Sequence, residues 1–259
     1  MKKLLSISLS LMMILSLFAC GNKTTSSNTN ANTNVNANTQ AKKLIMCTNA
    51  EFPPYEYKDG GDFKGIDIEV AKLIGQKLGQ EVEVLDIAFD SLIPTVMSGK
   101  ADFAMAGMTV TEDRKENVDF SHTYQTAVQA VALPANSTIA TIDDLNGKKI
   151  GVQQGTTGDI YCSGDYGNEN IERYRKILDG FQAMKAGKID ACVVDDQVAK
   201  TIVATEPSLY KLLDTAYAEE EYAIAVKKGN TELLDKINKV IDELKASGEL
   251  KTIVDKYIK

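Results

Sequence analysis

Metal-ligating residues are scarce in this sequence, which contains one histidine and four cysteines in 259 residues. The cysteines, Cys20, Cys47, Cys162 and Cys192, show no CxxC spacing, and His122 stands alone, so a zinc site would lack ligands. We therefore expect no metal and no other cofactor. Outside the cytosol Cys162 and Cys192 could form a disulfide, although the apolar strand pattern around Cys192 favours a buried free thiol.

Basic residues are also fewer than acidic residues. Lysine and arginine total 29 against 36 aspartates and glutamates, which gives a formal net charge of −7, and no basic run interrupts the chain. This acidic balance argues against nucleic acid as a partner. Beyond the N-terminus, no apolar run approaches the roughly 18 residues that a membrane-spanning helix requires. We therefore expect the main body, residues 43–259, not to cross a membrane.

Residues 1–19 have the layout of a signal peptide. Lys2 and Lys3 precede an apolar stretch, and the small Ala19 stands directly before Cys20. The stretch is too short and wrongly flanked for a spanning helix. The junction resembles a bacterial lipobox, which implies cleavage before Cys20, acylation of that cysteine and firm attachment to a membrane. The alternative is an ordinary secretory signal that happens to contain a cysteine.

The segment that follows, residues 20–42, is rich in asparagine, threonine and serine. Asparagine occupies every second position from 28 to 38, and almost no apolar side chain is available for burial. Such a composition cannot form a packed core, so we predict a disordered tether between the acylated Cys20 and the main body.

From residue 43 the chain alternates strand and helix patterns, which is typical of α/β architecture. Residues 66–78 carry apolar side chains at helical spacing and end at Gly79, whereas residues 81–87 alternate as a strand. A second series has strand patterns at 148–153, 171–175 and 190–195. We read residues 222–226 as one strand, followed by two C-terminal helices.

A weak internal repeat accompanies this alternation. The motif Gly-Lys-x-Asp occurs at 99–102 and again at 187–190, each time after a helix pattern and before a short apolar strand. Ligands of open α/β sheets gather at the C-terminal ends of strands, so two similar sheets with facing strand ends would create a cleft. The alternative is a common helix-to-strand turn that is used twice.

Arginine occurs only three times, at Arg114, Arg173 and Arg175. Arg173 and Arg175 alternate on a predicted strand and are expected on a solvated face. Arg114 instead follows a small, apolar stretch and a helix start capped by Thr111. A guanidinium group can bind a carboxylate through two parallel hydrogen bonds, which lysine cannot do. From the residues alone, Arg114 fits a ligand clamp and a structural ion pair equally well.

Several segments, taken in order, resemble the signature of the polar amino-acid binding proteins of ABC importers. The resemblance implies an α/β chain with a two-lobed type II periplasmic-binding fold, each lobe a mixed sheet flanked by helices, joined by a two-stranded hinge. It implies a first lobe of residues 43–126 and 222–259 and a second lobe of residues 127–221. The segments are residues 48–55, 65–69, 106–115, 118–121 and 150–158.

The resemblance further implies a site for a zwitterion. Arg114 would bind the α-carboxylate with help from a Gly-rich helix start, and Asp195 would bind the α-ammonium group. Both charges of a buried zwitterion must be paired with groups of the protein, because burying an unpaired charge costs free energy. Phe52 and Phe89 would enclose the ligand's side chain. The predicted ligand-binding residues are Asn49, Glu51, Phe52, Phe89, Ala106, Gly107, Thr109, Arg114, Gln153, Thr156, Thr157 and Asp195.

The identity of the amino acid follows less directly. Members of the family that hold basic side chains often carry aspartate where this chain has Asn49. Glu51 and Asp196 could still supply negative charge, whereas Asn49, Gln153 and Gln154 suit a neutral polar side chain through amide hydrogen bonds. We therefore favour a neutral polar amino acid as partner, with cationic amino acids second.

Taken together, the resemblance implies an extracytoplasmic binding protein held to the outer face of the membrane by its lipid. It would act as a monomer, close its lobes on a free L-amino acid and deliver it to an ABC permease, without catalysis. Two alternatives use the same fold: an amino-acid-sensing module, and a cyclohexadienyl-type dehydratase with Glu51 or Asp196 as general acid.

Overall fold

The computed structural model describes residues 43–258. The predicted signal peptide of residues 1–19, the predicted acylation at Cys20 and the predicted tether of residues 20–42 lie outside the described residues. Within the described part of the chain, no helix is both long enough and apolar enough to cross a membrane.

Strands and helices alternate along much of the described chain. The strands are β1 (Leu44–Thr48), β2 (Glu51–Phe52), β3 (Glu56–Asp59), β4 (Asp62–Lys64), β5 (Val82–Asp86), β6 (Phe103–Ala104), β7 (Val118–Phe120), β8 (Gln125–Pro134), β9 (Ile150–Gln153), β10 (Ile171–Tyr174), β11 (Ala191–Asp195), β12 (Tyr210–Leu212), β13 (Ala218–Tyr222) and β14 (Ala225–Lys227). The helices are α1 (Ile66–Lys77), α2 (Leu92–Met97), α3 (Glu112–Lys115), α4 (Thr157–Tyr166), α5 (Ile177–Lys185), α6 (Asp196–Thr205), α7 (Thr231–Ser247) and α8 (Glu249–Tyr257).

The first lobe is built on a five-stranded sheet with the order β5-β1-β6-β14-β7. Strand β1 runs parallel to β5 and β6, and β14 runs antiparallel to β6 and β7, so the sheet is mixed. Helices α1, α7 and α8 pack on one another beside it. A small sheet of β2, β3 and β4 follows β1. Its two- to four-residue strands are too short for a periodic pattern, so the sequence did not predict them.

The second lobe is built on a six-stranded sheet with the order β10-β9-β11-β8-β12, in which β13 also pairs with β8. Strand β9 is parallel to β10 and β11, whereas β8 is antiparallel to β11, β12 and β13. Helices α4, α5 and α6 contact this sheet. The prediction of a two-lobed α/β fold with mixed sheets and flanking helices is confirmed.

The chain passes between the two sheets along a pair of antiparallel strands. At the start of this pair, Tyr222 of β13 is the register partner of Gln125 of β8, and Tyr124 N donates to Tyr222 O at 2.9 Å. The single strand predicted for residues 222–226 is wrong. Strand β13 ends at Tyr222 and β14 begins at Ala225, because the chain here exchanges its partner β8 in the second sheet for β6 and β7 in the first.

The repeated Gly-Lys-x-Asp motif performs the same task in both lobes. The Asp102 side chain accepts a hydrogen bond from Ile45 N at 2.8 Å, and the Asp190 side chain accepts one from Lys149 N at 2.8 Å. In each lobe the aspartate thereby holds the start of the neighbouring parallel strand. The motif is a turn in both places, and its repetition reflects two sheets assembled in the same way.

The three described cysteines, Cys47, Cys162 and Cys192, are buried and free. Burial raises the pKa of the Cys47 and Cys162 thiols to about 12, with the nearby negative charge of Asp165 adding to the shift at Cys162. These thiols therefore serve as small apolar groups in the core. A disulfide between Cys162 and Cys192 is not present in the described structure.

Candidate functional site

A small cavity lies between the two lobes. Its walls enclose about 300 Å³ of space between atoms, part of which is open to solvent. Residues of the first lobe form one wall, and residues at the ends of β9 and β11 form the other. The lining residues are Asn49, Phe52, Glu56, Phe89, Ala106, Gly107, Thr109, Arg114, Gln153, Thr156, Thr157 and Asp195.

The cavity brings together all the predicted ligand-binding residues except Glu51. Glu51 does not line it, because successive side chains of a strand point to opposite faces and its neighbour Phe52 takes the inward position. Glu51 instead forms an ion pair with Lys176 of the second lobe. The carboxyl group that lines the cavity from this hairpin is that of Glu56, the register partner of Phe52.

Arg114 is buried in the first lobe, with 7 % of its surface exposed. Its position follows from α3, a short helix that begins after Thr111, whose side chain accepts from Arg114 N. The guanidinium Nη1 donates to Thr109 O at 2.6 Å, and Nη2 donates to Gly155 O of the second lobe at 3.1 Å. Its Cζ lies 5.4 Å from the centre of the Phe89 ring. The group therefore spans both walls, and these two hydrogen bonds go to backbone carbonyls.

Burial lowers the pKa of Arg114, and the negative charges of Glu220 and Asp195 oppose that shift. The side chain remains a cation, since guanidinium groups are not deprotonated in proteins. Among the residues that the structure describes, the hydrogen-bond partners of this buried cation are carbonyl oxygens and not carboxylates, so its charge is not paired directly.

Asp195 ends β11 on the second wall. It stands at the N-cap position of α6 but makes no capping hydrogen bond. Its carboxylate accepts from Gln129 Nε2 at 3.0 Å and from the Tyr222 hydroxyl. Burial raises the pKa of Asp195 to about 7, with the charge of Glu220 adding to the shift and the bonds from Tyr222 and Gln129 opposing it. The carboxyl group therefore lines the cavity and does not cap the helix.

Glu220 links the two walls behind the cavity. Its Oε2 accepts from Thr109 Oγ1 at 3.0 Å and from Gln129 Nε2 at 2.9 Å. Because Gln129 also donates to Asp195, one amide bridges two buried carboxyl groups. The network fixes Thr109, which holds Arg114, and Asp195 relative to each other.

The amides of Asn49 and Gln153 meet across the cavity. Gln153 Nε2 donates to Asn49 Oδ1 at 2.7 Å and to Arg175 O at 3.0 Å, and Asn49 Nδ2 donates to Ile87 O at 2.9 Å. Together with the contact from Arg114 to Gly155 and the pair of Glu51 with Lys176, these bonds hold the lobes against each other. The structure is therefore a closed conformation.

Phe52 and Phe89, the two rings predicted to enclose the ligand's side chain, both line the cavity. The Phe52 ring stacks on Tyr55 with centroids 6.0 Å apart, whereas the Phe89 ring lies beneath Arg114. Gly107 allows the close approach of its loop, because a Cβ atom there would lie 3.0 Å from Phe52 Cε1 and its φ is +51°. A side chain at position 107 would fill the cavity edge and strain the backbone.

The turn from β9 into α4 forms the second wall beside Arg114. Thr156 is the N-cap of α4, since its side chain accepts from Asp159 N, and its hydroxyl donates to Gln153 O at 2.8 Å. Thr157 is 3 % exposed, and its Oγ1 lies 3.5 Å from Gln129 Nε2. A helix N-terminus at this place favours negative charge in the cavity.

The sequence did not reveal Glu56, Gln129 and Glu220. In the run of residues 219–221 only the central glutamate is buried, as the alternation of a strand predicts. The alternation could therefore have identified Glu220 as the inward-facing glutamate from the sequence. Among the described residues, no group of three or more histidine, cysteine, aspartate or glutamate side chains is suited to hold a metal ion.

Comparison with known proteins gives a consistent family. Residues 44–259 match the family model described as bacterial extracellular solute-binding proteins, family 3. The arginine-binding extracellular protein ArtP of Bacillus subtilis is 36 % identical over 99 % of this chain and 98 % of its own. A probable histidine-binding protein of Neisseria gonorrhoeae is 32 % identical over 83 % of each chain.

Solved structures agree with these relatives. An ancestral arginine-binding protein bound to arginine has a TM-score of 0.79 and 41 % identity, covering 84 % of this chain and 98 % of its own. An ancestral arginine-binding protein bound to glutamine has the same TM-score of 0.79 at 40 % identity, covering 83 % and 97 %. The prediction of an amino-acid binding protein of an ABC importer family is confirmed.

Proposed function

The chain belongs to the bacterial extracellular solute-binding proteins of family 3, and from that membership we propose that it closes its two lobes on a free polar L-amino acid. It is the extracytoplasmic binding component of an amino-acid ABC importer and passes its ligand to a permease. Relatives named as binding proteins for arginine, histidine and glutamine support this function.

One observation carries the proposal. Arg114, a buried cation, and Asp195, a buried carboxyl group, line the same small cavity and come from different lobes. A free amino acid carries one negative and one positive group at its α-carbon. Arg114 and the start of α4 at Thr156 and Thr157 would receive the carboxylate, and Asp195 would receive the ammonium group. Ligand contacts made by both lobes favour the closed state, which is how binding drives closure.

The remaining lining residues would shape the site for a side chain. Ala106 and Gly107 would offer backbone groups, and Phe52 and Phe89 would offer apolar ring surface. We take the first lobe as residues 43–126 and 222–259 and the second as residues 127–221, with the crossing between β8 and β13 as the hinge. This division is supported by the two sheets, since every strand falls within one lobe except β8 and β13, which cross the boundary at the proposed hinge.

The ligand's side chain should end in a polar, nitrogen-bearing group. The paired amides of Asn49 and Gln153 can exchange their mutual hydrogen bond for bonds to an amide such as that of L-glutamine. The names of the relatives point to L-arginine, and Glu56 and Asn49 provide oxygen acceptors for a guanidinium group. Glu51 is not included, because its carboxylate is paired with Lys176.

A thermal-shift screen against the standard amino acids tests this function. A ligand at roughly 100 times its dissociation constant should stabilise the protein by about 2.7 kcal/mol. We expect L-glutamine or L-arginine to give the largest shift and L-aspartate and L-glutamate to give none. A screen in which no amino acid raises the melting temperature would contradict the proposal.

A dehydratase on the same fold would need a placed general acid and turnover. His122 is exposed and pairs with Asp242, and neither residue lines the cavity. The Asp196 carboxylate pairs with Lys200. Incubation with prephenate-like acids should leave them unchanged, whereas product formation would favour the enzyme. A sensing module would share every binding residue, and co-purification with a permease or with a signalling protein separates the two roles.

We also propose that Cys20 is acylated and holds the monomeric protein at the outer face of the membrane. Replacing Cys20 with alanine should release the protein from the membrane fraction, because each buried CH₂ of an acyl chain contributes about 0.8 kcal/mol to anchoring. Fractionation with an antibody measures the release, and Cys47→Ala serves as the control. Continued recovery of Cys20→Ala with membranes would argue against a lipid anchor.

A further inference from the structure

The side chain of Gln129 lies between the carboxyl groups of Asp195 and Glu220. Gln129 belongs to β8, and its register partner on β11 is Asp195. On the other side of β8, Glu220 of β13 is opposite Ala127, which lies two residues before Gln129 on the same face of the strand. Paired residues of neighbouring strands project from the same face of a sheet. The register of the three strands therefore places Gln129 beside both carboxyl groups, and all three side chains are buried.

The amide nitrogen of Gln129 donates to both of these carboxyl groups. Nε2 donates to Asp195 Oδ1 at 3.0 Å and to Glu220 Oε2 at 2.9 Å. A primary amide nitrogen carries two N–H groups, so these two bonds use its full donor capacity. Gln129 is therefore an uncharged double donor that is held between two buried acidic side chains.

The oxygen of the same amide shows that the two acids set its orientation. Within the described part of the chain, Gln129 Oε1 is buried without a hydrogen-bond partner. It faces the start of α4, because a Cβ atom on Gly158 would lie 3.0 Å from it. The reversed amide would turn its oxygen toward two carboxylates and its N–H groups toward the positive end of the helix. Leaving a buried acceptor unpaired costs free energy, and the two bonds to acidic oxygens offset that cost.

These bonds bear on the charge of Asp195. A donor to a carboxylate favours its ionised form, whereas a second negative charge nearby disfavours it. Burial and then the charge of Glu220 raise the pKa of Asp195, and the bonds from Tyr222 and Gln129 oppose that rise. Glu220 differs from the other groups around Asp195 because it shares a donor with it. The remaining titratable groups that act on Asp195 or respond to its charge are Arg114 of α3, Glu56 of β3, Tyr55 after β2 and Tyr161 of α4.

We propose that Gln129 is a positioning residue for the ammonium group of the amino acid, because its double donation orients the Asp195 carboxylate and keeps it ionised beside Glu220. The inference rests on the proposed function for its affinity measurements only, since the charge of Asp195 can be followed without ligand. If Gln129 merely fills space, its loss should have the same effect at every pH. If it holds Asp195 in the ionised form, the effect of its loss should depend on pH.

Gln129→Met removes both donors and keeps a side chain of similar length. Calorimetric titration with L-glutamine and with L-arginine should show affinity about tenfold or more below wild type at neutral pH, for whichever amino acids bind. In the wild type, affinity should weaken on acidification around the pKa of Asp195, which is about 7. In Gln129→Met this midpoint should move up by about one pH unit or more. Gln182→Met, a change at an exposed glutamine of α5 in the same lobe, is the matched control and should bind as the wild type does.

Glu220→Gln tests the same arrangement from the other acid. An amide oxygen at position 220 can still accept from Thr109 and from Gln129, so this variant removes a charge and keeps the bonds. Its midpoint should lie below that of the wild type, and the double variant Gln129→Met/Glu220→Gln should return toward the wild-type midpoint. Midpoints that stay at the wild-type pH in both single variants, or that move in the opposite directions, would overturn the proposal.

Thermal unfolding without ligand keeps this inference apart from the proposed function. Because the pKa of Asp195 is raised in the folded state, ionising it as the pH rises destabilises the fold, and more so without Gln129. The melting temperature of Gln129→Met should therefore fall further behind that of the wild type between about pH 6 and about pH 9. The gap should stay constant when both proteins carry Asp195→Asn.

The outcomes separate cleanly. If the gap widens with pH but no amino acid binds, the proposed function fails and the role of Gln129 toward Asp195 stands. If the gap is the same at every pH, that role is refuted whether or not an amino acid binds.

Discussion

Replacing Arg114 with lysine is expected to weaken amino-acid binding by about 2–5 kcal/mol, the cost of disrupting a buried, hydrogen-bonded charge pair. In the structure one guanidinium nitrogen holds Thr109 O and the other reaches Gly155 O on the opposite lobe. A guanidinium group can keep the first bond while it offers other donors to a carboxylate, whereas a single ammonium group cannot match that geometry. Titration calorimetry with the amino acid found by the screen measures the loss.

Arg175→Lys is the matched control for this experiment. Arg175 is one of only three arginines, and its side chain is exposed. We expect its affinity to equal that of the wild type. If Arg114→Lys also binds within about twofold of wild type, which is less than 0.5 kcal/mol on the usual conversion, Arg114 is not the carboxylate clamp.

Replacing Asp195 with asparagine is expected to cost a similar amount, about 2–5 kcal/mol of binding free energy, while the protein still folds. Asparagine has almost the same shape, so it can still accept from Gln129 or Tyr222. Asparagine carries no negative charge, so it cannot form an ion pair with a buried ammonium group. Asp196→Asn is the control, because that neighbouring carboxylate is bonded to Lys200 outside the cavity.

The pH dependence of binding gives a second test of Asp195. Its pKa is raised to about 7, so part of the population is protonated near neutrality. An ammonium ligand requires the ionised form, and affinity should therefore weaken as the pH falls from about 8 to about 6. Asp67, with a pKa near 6, titrates in both proteins, so the smaller slope expected for Asp195→Asn isolates the contribution of Asp195. Equal slopes would show that another group is responsible.

The sequence anticipated the architecture because its cues are local. Helix α1 could be predicted from apolar spacing that ends near Gly79, and Thr111 from its position as a helix cap. The split of residues 222–226 into two strands could not be predicted, because it depends on which sheet each half pairs with. Strand pairing between distant segments leaves no mark on local periodicity.

The candidate site was anticipated through resemblance, and its composition shows what resemblance misses. Arg114 lies in a segment with a recognisable signature, Asp195 ends a predicted strand, and the structure brings both to one cavity. Glu56 was overlooked in favour of Glu51, since the choice between them depends on which face of a short hairpin points inward. Gln129 and Glu220 bridge the two walls from the crossing strands, and their pairing is a product of the hinge register.

The central claim is that one cavity binds both charged ends of a free amino acid. Calorimetric titration of the wild-type protein with the amino acid, with its carboxamide and with its N-acetyl derivative tests it most directly. We predict that the free amino acid binds and that blocking either end weakens binding by about thirtyfold or more, as removal of one partner from a buried charge pair requires. Equal affinity for the free amino acid and for either blocked derivative would contradict the account.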